Sequence, residues 1–129
     1  MALLRTALAL AATIAFTAAC GSSAPATATT PAAVPGSSTA LVLISGFAFD
    51  TQKAGDKTAL EVTKGTTVAW SNKDGTTHHV TSGTPPTGDG KFDGTVAAGA
   101  TFSFTFNDAG TFKYFCSIHT TMTGTITVK

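Results

Sequence analysis

The sequence predicts an all-β fold, an antiparallel β-sandwich. Apolar residues recur at every second position in a series of short runs rich in Phe, Val and Thr, the pattern of half-buried strands. Clusters of Gly, Asn, Asp and Pro part these runs at short intervals, and no run keeps helical periodicity for the length of a helix. Many short strands at this spacing in one small domain indicate two packed sheets.

The start of the chain stands outside that pattern. Residues 1–19 carry one charge, Arg5, then an apolar run from Ala7 to Phe16 and small residues at Ala18 and Ala19. The run is shorter than the ~20 residues of a membrane span and ends on small side chains, so it reads as a secretory signal peptide. Thr17-Ala18-Ala19-Cys20 resembles the lipobox of bacterial lipoproteins, with Thr17 where Leu is commonest. That resemblance implies lipidation of Cys20 and attachment to a membrane through an N-terminal lipid. Residues 20–39, once past Cys20, collapse to Ala, Ser, Thr, Pro and Gly without charge, with Val34 the one sizeable apolar side chain. They cannot bury enough surface to offset their ordering entropy and are expected to form a disordered linker, stiffened by Pro25, Pro31 and Pro35. Residues 40–129 remain as one domain, sized for a single core.

Within the domain, Leu41 to Phe49 carries apolar side chains on both parities. It is expected to be a strand buried on both faces, or one with a bulge or sheet switch at Gly46. Leu60 and Val62 mark a strand after the Ala54-Gly55-Asp56 turn, and Val68 and Trp70 another after Lys64-Gly65. Asn72 to Gly75 reads as a turn into a strand starting near His78. Gly83 to Gly90 is a further turn signal, and Pro85-Pro86-Thr87-Gly88 within it is expected to be an irregular surface excursion near one end of the sandwich. Phe102, Phe104 and Phe106, then Phe112, Tyr114 and Cys116, then Ile126 and Val128 complete the alternating set.

Charge excludes one class of partner. Eight Lys and Arg face seven Asp and Glu; with Arg5 removed, seven face seven. A neutral domain without a polybasic block carries no footprint for nucleic acid.

The chemistry lies in Cys116-Ser117-Ile118-His119-Thr120-Thr121-Met122. This short loop holds a thiol, an imidazole and a thioether, and Cys116 is the one thiol left to the folded domain. Outside the cytoplasm, cysteines usually pair as disulfides, so a lone one calls for another account. His119 and Met122, each three residues on, suit a loop wrapped around one ion. A further imidazole comes from His78-His79. Successive strand side chains point to opposite faces, and His78 shares its face with Val80. His78 is therefore the preferred ligand, with His79 the alternative. Two His, one Cys and a Met form the donor set of a trigonal copper site with a weak axial sulfur.

Other metals fit less well. Structural zinc takes four Cys or His ligands and no thioether. A c-type haem needs Cys-x-x-Cys-His, which is absent. Calcium would need clustered carboxylates, and Asp89 and Asp93 are too sparse. A Cys–His nucleophile pair would leave His78 and Met122 unexplained.

These segments resemble the cupredoxins, the small blue-copper proteins. Val68 to Asp74 with His78-His79-Val80-Thr81-Ser82 is similar to the family's first-histidine strand and loop. Gly110 to His119, with Met122 and Gly124, is similar to its last strands and ligand loop. The spacing Cys-x-x-His-x-x-Met is similar to that of the amicyanins. The resemblance implies a Greek-key sandwich binding one copper ion through His78, Cys116, His119 and Met122. The family often carries Asn after the first histidine, where this chain has His79. The implied role is an extracytoplasmic electron carrier in the periplasm or at the cell surface, not an enzyme. It is expected to act as a monomer, with redox partners docking near the His119 edge amid Ile118, Pro85 and Pro86. The alternative is a copper protein that stores or delivers the ion. An immunoglobulin-like adhesion domain is disfavoured, because no second core cysteine is present.

Overall fold

The structure, a computed structural model, describes residues 38–129. The signal peptide, Cys20 and all of the linker except its last two residues lie outside the described residues. Strand β1 (Thr39–Ser45) begins at the last residue assigned to the linker. It is followed by β2 (Ala48–Asp50), β3 (Ala59–Val62), β4 (Thr66–Asn72), β5 (His78–Thr84), β6 (Thr87–Val96), β7 (Thr101–Phe106), β8 (Gly110–Cys116) and β9 (Thr123–Val128). Among the described residues no helix is long and apolar enough to cross a membrane.

The strands form a β-sandwich of two sheets, in the orders β2-β1-β4-β7 and β3-β9-β8-β5-β6. Both sheets are mixed. β1 runs parallel to β4, and β3 runs parallel to β9. The expectation of a wholly antiparallel sandwich is corrected on these two pairs. Alternation reports which face a side chain takes, and that pattern is the same whichever way the neighbouring strand runs.

The alternating residues do meet between the sheets. Val42, Ile44, Val68, Trp70, Val80, Phe92, Phe106, Tyr114, Cys116, Ile126 and Val128 belong to one buried cluster. Trp70 lies at its centre, stacked between Phe92 and Phe102 at 5.6 and 5.5 Å and edge-on to Tyr114. Offset and edge-to-face packing of this kind adds to the burial of large rings. Phe115, on the opposite parity, is buried as well.

Two segments differ from the sequence reading. Leu41 to Phe49 is neither doubly buried nor switched between sheets. It is a hairpin of β1 and β2, with Ser45 opposite Ala48 and only Val42, Ile44 and Phe49 fully inside. Gly46 and Phe47 form its two-residue turn, both at positive φ (61° and 59°). Such a turn matches the twist of the flanking strands, but for a phenylalanine that conformation costs about 1–2 kcal/mol. The turn signal at residues 83–90 does close a hairpin, but of the stretch 85–88, expected to be irregular, Thr87 and Gly88 belong to β6. Thr84 pairs Thr87, and the register shift between Thr81 and Gly83 marks a bulge. The buried Ser82 hydroxyl accepts the Lys91 and Phe92 amides there, at 2.9 and 3.0 Å. That hydroxyl satisfies backbone the bulge would leave unpaired.

Candidate metal centre

Three chain segments bring four side chains together at one end of the sandwich. β5 contributes His78 from its first position and β8 contributes Cys116 from its last. Val80 lies directly opposite Cys116 in the ladder between them. The β8–β9 loop then supplies His119 and Met122. Its backbone closes on itself: the Cys116 amide donates to the Met122 carbonyl at 3.0 Å, and the Met122 amide to the His119 carbonyl at 2.9 Å. The loop is thus a tight turn whose size is set before any side chain is considered.

Parity decides the histidine. His78 is fully buried, and His79 points outward to Asp93, Nε2 to Oδ2 at 2.7 Å, with Asp93 also accepting from Thr81. Burial pushes the Asp93 carboxyl up, yet its bonds from His79 and Thr81 prevail and hold it below the usual carboxylate range. His79 turns its backbone inward instead. Its amide donates to Cys116 Sγ at 3.4 Å, and its carbonyl accepts from the Ser117 amide at 3.1 Å. This amide contact on the thiol joins the two strands that carry the first histidine and the cysteine.

The donor atoms are gathered around one point. Cys116 Sγ lies 3.8 Å from His78 Nδ1 and 3.6 Å from His119 Nδ1, and all three donors fall within 4.8 Å of one another. Taking first-row metal bonds of ~2.3 Å to sulfur and ~2.0 Å to nitrogen, spread at about 120°, such donors sit about 3.7 Å apart. The observed separations are those of ligands around a small ion. His78 and Cys116 are buried and His119 is half-buried. Met122 is buried alongside them in the core cluster. A thiol, two imidazoles and a thioether suit copper in both oxidation states. The residues present fit that ion.

Three residues at this end were not singled out as site residues by the sequence. Asp74, in the β4–β5 loop, accepts the Gly46 amide on Oδ1 at 2.7 Å and the Phe47 amide on Oδ2 at 3.0 Å. Oδ2 also lies 3.0 Å from His78 Nε2. The Phe47 amide, with the Gly46 amide and the His78 side chain behind it, holds the Asp74 carboxyl below the usual carboxylate range against partial burial. Asn72, read as a turn residue, is fully buried and donates from Nδ2 to the Thr76, Val96 and Ala97 carbonyls. Phe47 packs edge-on against His78 and His119, with ring centroids 5.6 and 4.9 Å away. The sequence signals were slight: a carboxylate four residues before His78, and a glycine interrupting an apolar strand.

Pro85 and Pro86 do not border His119. They lie beyond Thr84, at the opposite end of β5 from His78, and a strand of that length spans about 20 Å. Pro85 lines a surface recess with Lys113, Tyr114 and Thr125. The exposed apolar side chains nearest the centre are Ile118 and Phe47, both 54% exposed.

Known proteins resemble this chain over the same region. A sequence profile of copper binding proteins of the plastocyanin/azurin family matches residues 47–129. No curated protein sequence matches it. Among solved structures, a copper(I) form of an amicyanin variant is similar at 25% identity and TM-score 0.58, covering 76% of this chain and 87% of its own. A reduced amicyanin variant is similar at 25% identity and TM-score 0.59, with the same coverage of 76% and 87%. A purple cupredoxin from Nitrosopumilus maritimus shares 28% identity at TM-score 0.59, over 70% of this chain and 99% of its own.

Proposed function

The chain belongs to the plastocyanin/azurin family of copper-binding proteins, and on that footing we propose that it is an extracytoplasmic electron carrier with one type 1 copper ion. His78, Cys116, His119 and Met122 would hold the ion. The carrying observation is the convergence of one thiol and two imidazole nitrogens within 4.8 Å. Copper supplies a one-electron couple there, because thiolate and imidazole serve Cu(II) while sulfur suits Cu(I).

The protein's own residues supply the rest. β5 and β8 fix His78 and Cys116 against each other, the His79 amide meets the thiol, and the closed β8–β9 loop holds His119. Trp70, Tyr114 and Phe49 lie in the dry core behind them. Such support limits rearrangement between oxidation states and tunes the sulfur. His119 is the half-buried imidazole, so partner proteins dock at its edge, on the apolar surface of Ile118 and Phe47. The carrier acts as a monomer on a membrane tether, with Cys20 the lipidated residue. Fatty-acid labelling that persists in Cys20→Ala would remove the tether from this account.

Adding Cu(II) to the purified domain tests the assignment. An intense visible thiolate-to-copper band is expected in wild type and absent in Cys116→Ser; a colourless wild-type complex contradicts it. Fast, reversible electron exchange, slowed by Ile118→Asp, identifies a carrier. Ready loss of copper to a chelator without such exchange would mark storage or delivery instead.

A further inference from the structure

The Gly46–Phe47 turn is built against local preference. Turns with two positive φ values are usually closed by Asn-Gly or Asp-Gly, and here a phenylalanine holds the second position at 59°. Strained backbone persists where its surroundings over-determine it, and such sites gather around function. Hydrophobic burial does not account for this one, since the Phe47 ring stays 54% exposed. What the conformation achieves is placement. The ring stands edge-on to both imidazoles, at 75° to His78 and 85° to His119.

Asp74 supplies the over-determination. Its two carboxylate oxygens take the two turn amides, Oδ1 from Gly46 and Oδ2 from Phe47. The same Oδ2 faces His78 Nε2 at 3.0 Å. A carboxylate only accepts hydrogen bonds, so Nε2 is the donor in that contact. Nδ1 then keeps its lone pair, and Nδ1 is the nitrogen turned toward Cys116 Sγ. One oxygen atom therefore serves the turn and the ligand together.

We propose that Asp74 is a positioning residue of the copper site: it sets the His78 tautomer that offers a bare Nδ1, and through the same carboxylate it holds Phe47 as an aromatic cap over the two imidazoles. This rests on the copper reading above. A carboxylate behind a ligating imidazole also raises that ligand's basicity. It favours Cu(II) over Cu(I) and keeps the potential lower than an uncharged neighbour would.

The tautomer can be read without copper, by long-range ¹⁵N NMR of the copper-free domain. Wild type is expected to show His78 protonated on Nε2, with its Nε2–H resonance shifted downfield by the carboxylate. Asp74→Asn keeps the side-chain shape. With its carbonyl on Gly46, it sets an NH₂ against the Phe47 amide and toward His78 Nε2, and the imidazole can then accept on Nε2 and carry its proton on Nδ1. Reversal of the tautomer is expected, with about tenfold weaker Cu(II) binding. If Cu(I) binding is unchanged, that tenfold raises the potential by about 59 mV. Phe47→Gly removes the cap and should erase the ring-current shifts on His119 while leaving the His78 tautomer intact. An Nδ1–H tautomer in wild type overturns the proposal. So does an Asp74→Asn protein with unaltered tautomer and copper affinities. A wild-type domain that binds no copper yet keeps the Nε2–H tautomer upholds the hold of Asp74 on His78 and sinks the copper reading alone.

Discussion

Replacing Asn72 by Ala removes a buried clasp on which the loop carrying Asp74 depends. The Asn72 side chain has no solvent exposure. Its Nδ2 lies 2.7, 2.9 and 3.1 Å from the Thr76, Val96 and Ala97 carbonyls, and its Oδ1 accepts the Asp74 amide at 2.9 Å. Two amide hydrogens serve three carbonyls, so one is shared. Each bond contributes about 0.5–1.5 kcal/mol, and an acceptor stranded away from water raises that figure. Four bonds, one of them wholly buried, put the expected cost at about 3–5 kcal/mol. A domain of this size holds about 5–15 kcal/mol in all, so the variant still folds. At about 4–8 °C per kcal/mol its melting midpoint falls by well over 10 °C. Asn72→Asp is the control. It is nearly isosteric, yet it sets acceptor against acceptor and should lose at least as much. Urea titration of the copper-free domain reads both as a lower midpoint at unchanged slope. An Asn72→Ala protein within about 0.5 kcal/mol of wild type would refute the clasp. An Asn72→Asp protein as stable as wild type would do the same.

Gly124 pairs with Tyr114 across β8 and β9, and a Cβ at Gly124 would overlap the Tyr114 ring. Gly124→Ala is therefore expected to lose about 1–3 kcal/mol by overpacking, measured by denaturant titration. A neutral result would show that the ring has room to move. Acid should destabilise the fold as its carboxylates protonate. The Gln52 amide holds Asp50, and the Thr58 hydroxyl and amide hold Asp56, below the ordinary value of 3.8. A carboxyl depressed in the folded state adds stability above its unfolded pKa and loses it as pH falls through the folded one. The urea midpoint should then drop below about pH 4. Asp56→Ala should flatten the drop. A midpoint already falling between pH 7 and 5 would point to other groups.

What the sequence made legible was whatever repeats locally. Phe102, Phe104 and Phe106 alternate as written, as do Phe112, Tyr114 and Cys116, and the same parity separates buried His78 from outward His79. The donor loop was legible because Cys116, His119 and Met122 lie within seven residues of one another. Parity names a face but not a neighbour, which is why the parallel pairings of β1 with β4 and β3 with β9 were invisible. Chain order, by contrast, already put Pro85 a strand length away from His78. Asn72 and Asp74 were read as turn residues because their composition is that of a turn. Their partners, Val96 and Phe47, are 24 and 27 positions away, and no local pattern reports such distances. The Phe47 turn was hidden for another reason. A phenylalanine at positive φ contradicts local propensity, and such conflicts are where sequence reasoning fails at functional sites.

The hidden residues explain why the legible ones can work as a site. The three donors come from two strands and a loop, and they lie at the spacing an ion requires, 3.6 and 3.8 Å from sulfur to nitrogen. Each is held by something other than metal: His78 by Asp74, Cys116 by the His79 amide, and His119 by the loop that Met122 closes. Asp74 is held in turn by Asn72, and Asn72 by β6. The entropy of gathering the ligands is thus lost in folding and not again on binding, which raises the affinity a given donor set can reach. The same frame resists any change of donor spacing when the charge on the ion changes. A carrier needs that resistance, because geometry that relaxes to each oxidation state would have to be undone at every transfer. Loosening Asn72 or Asp74 should therefore slow electron exchange even where all four ligands remain in place.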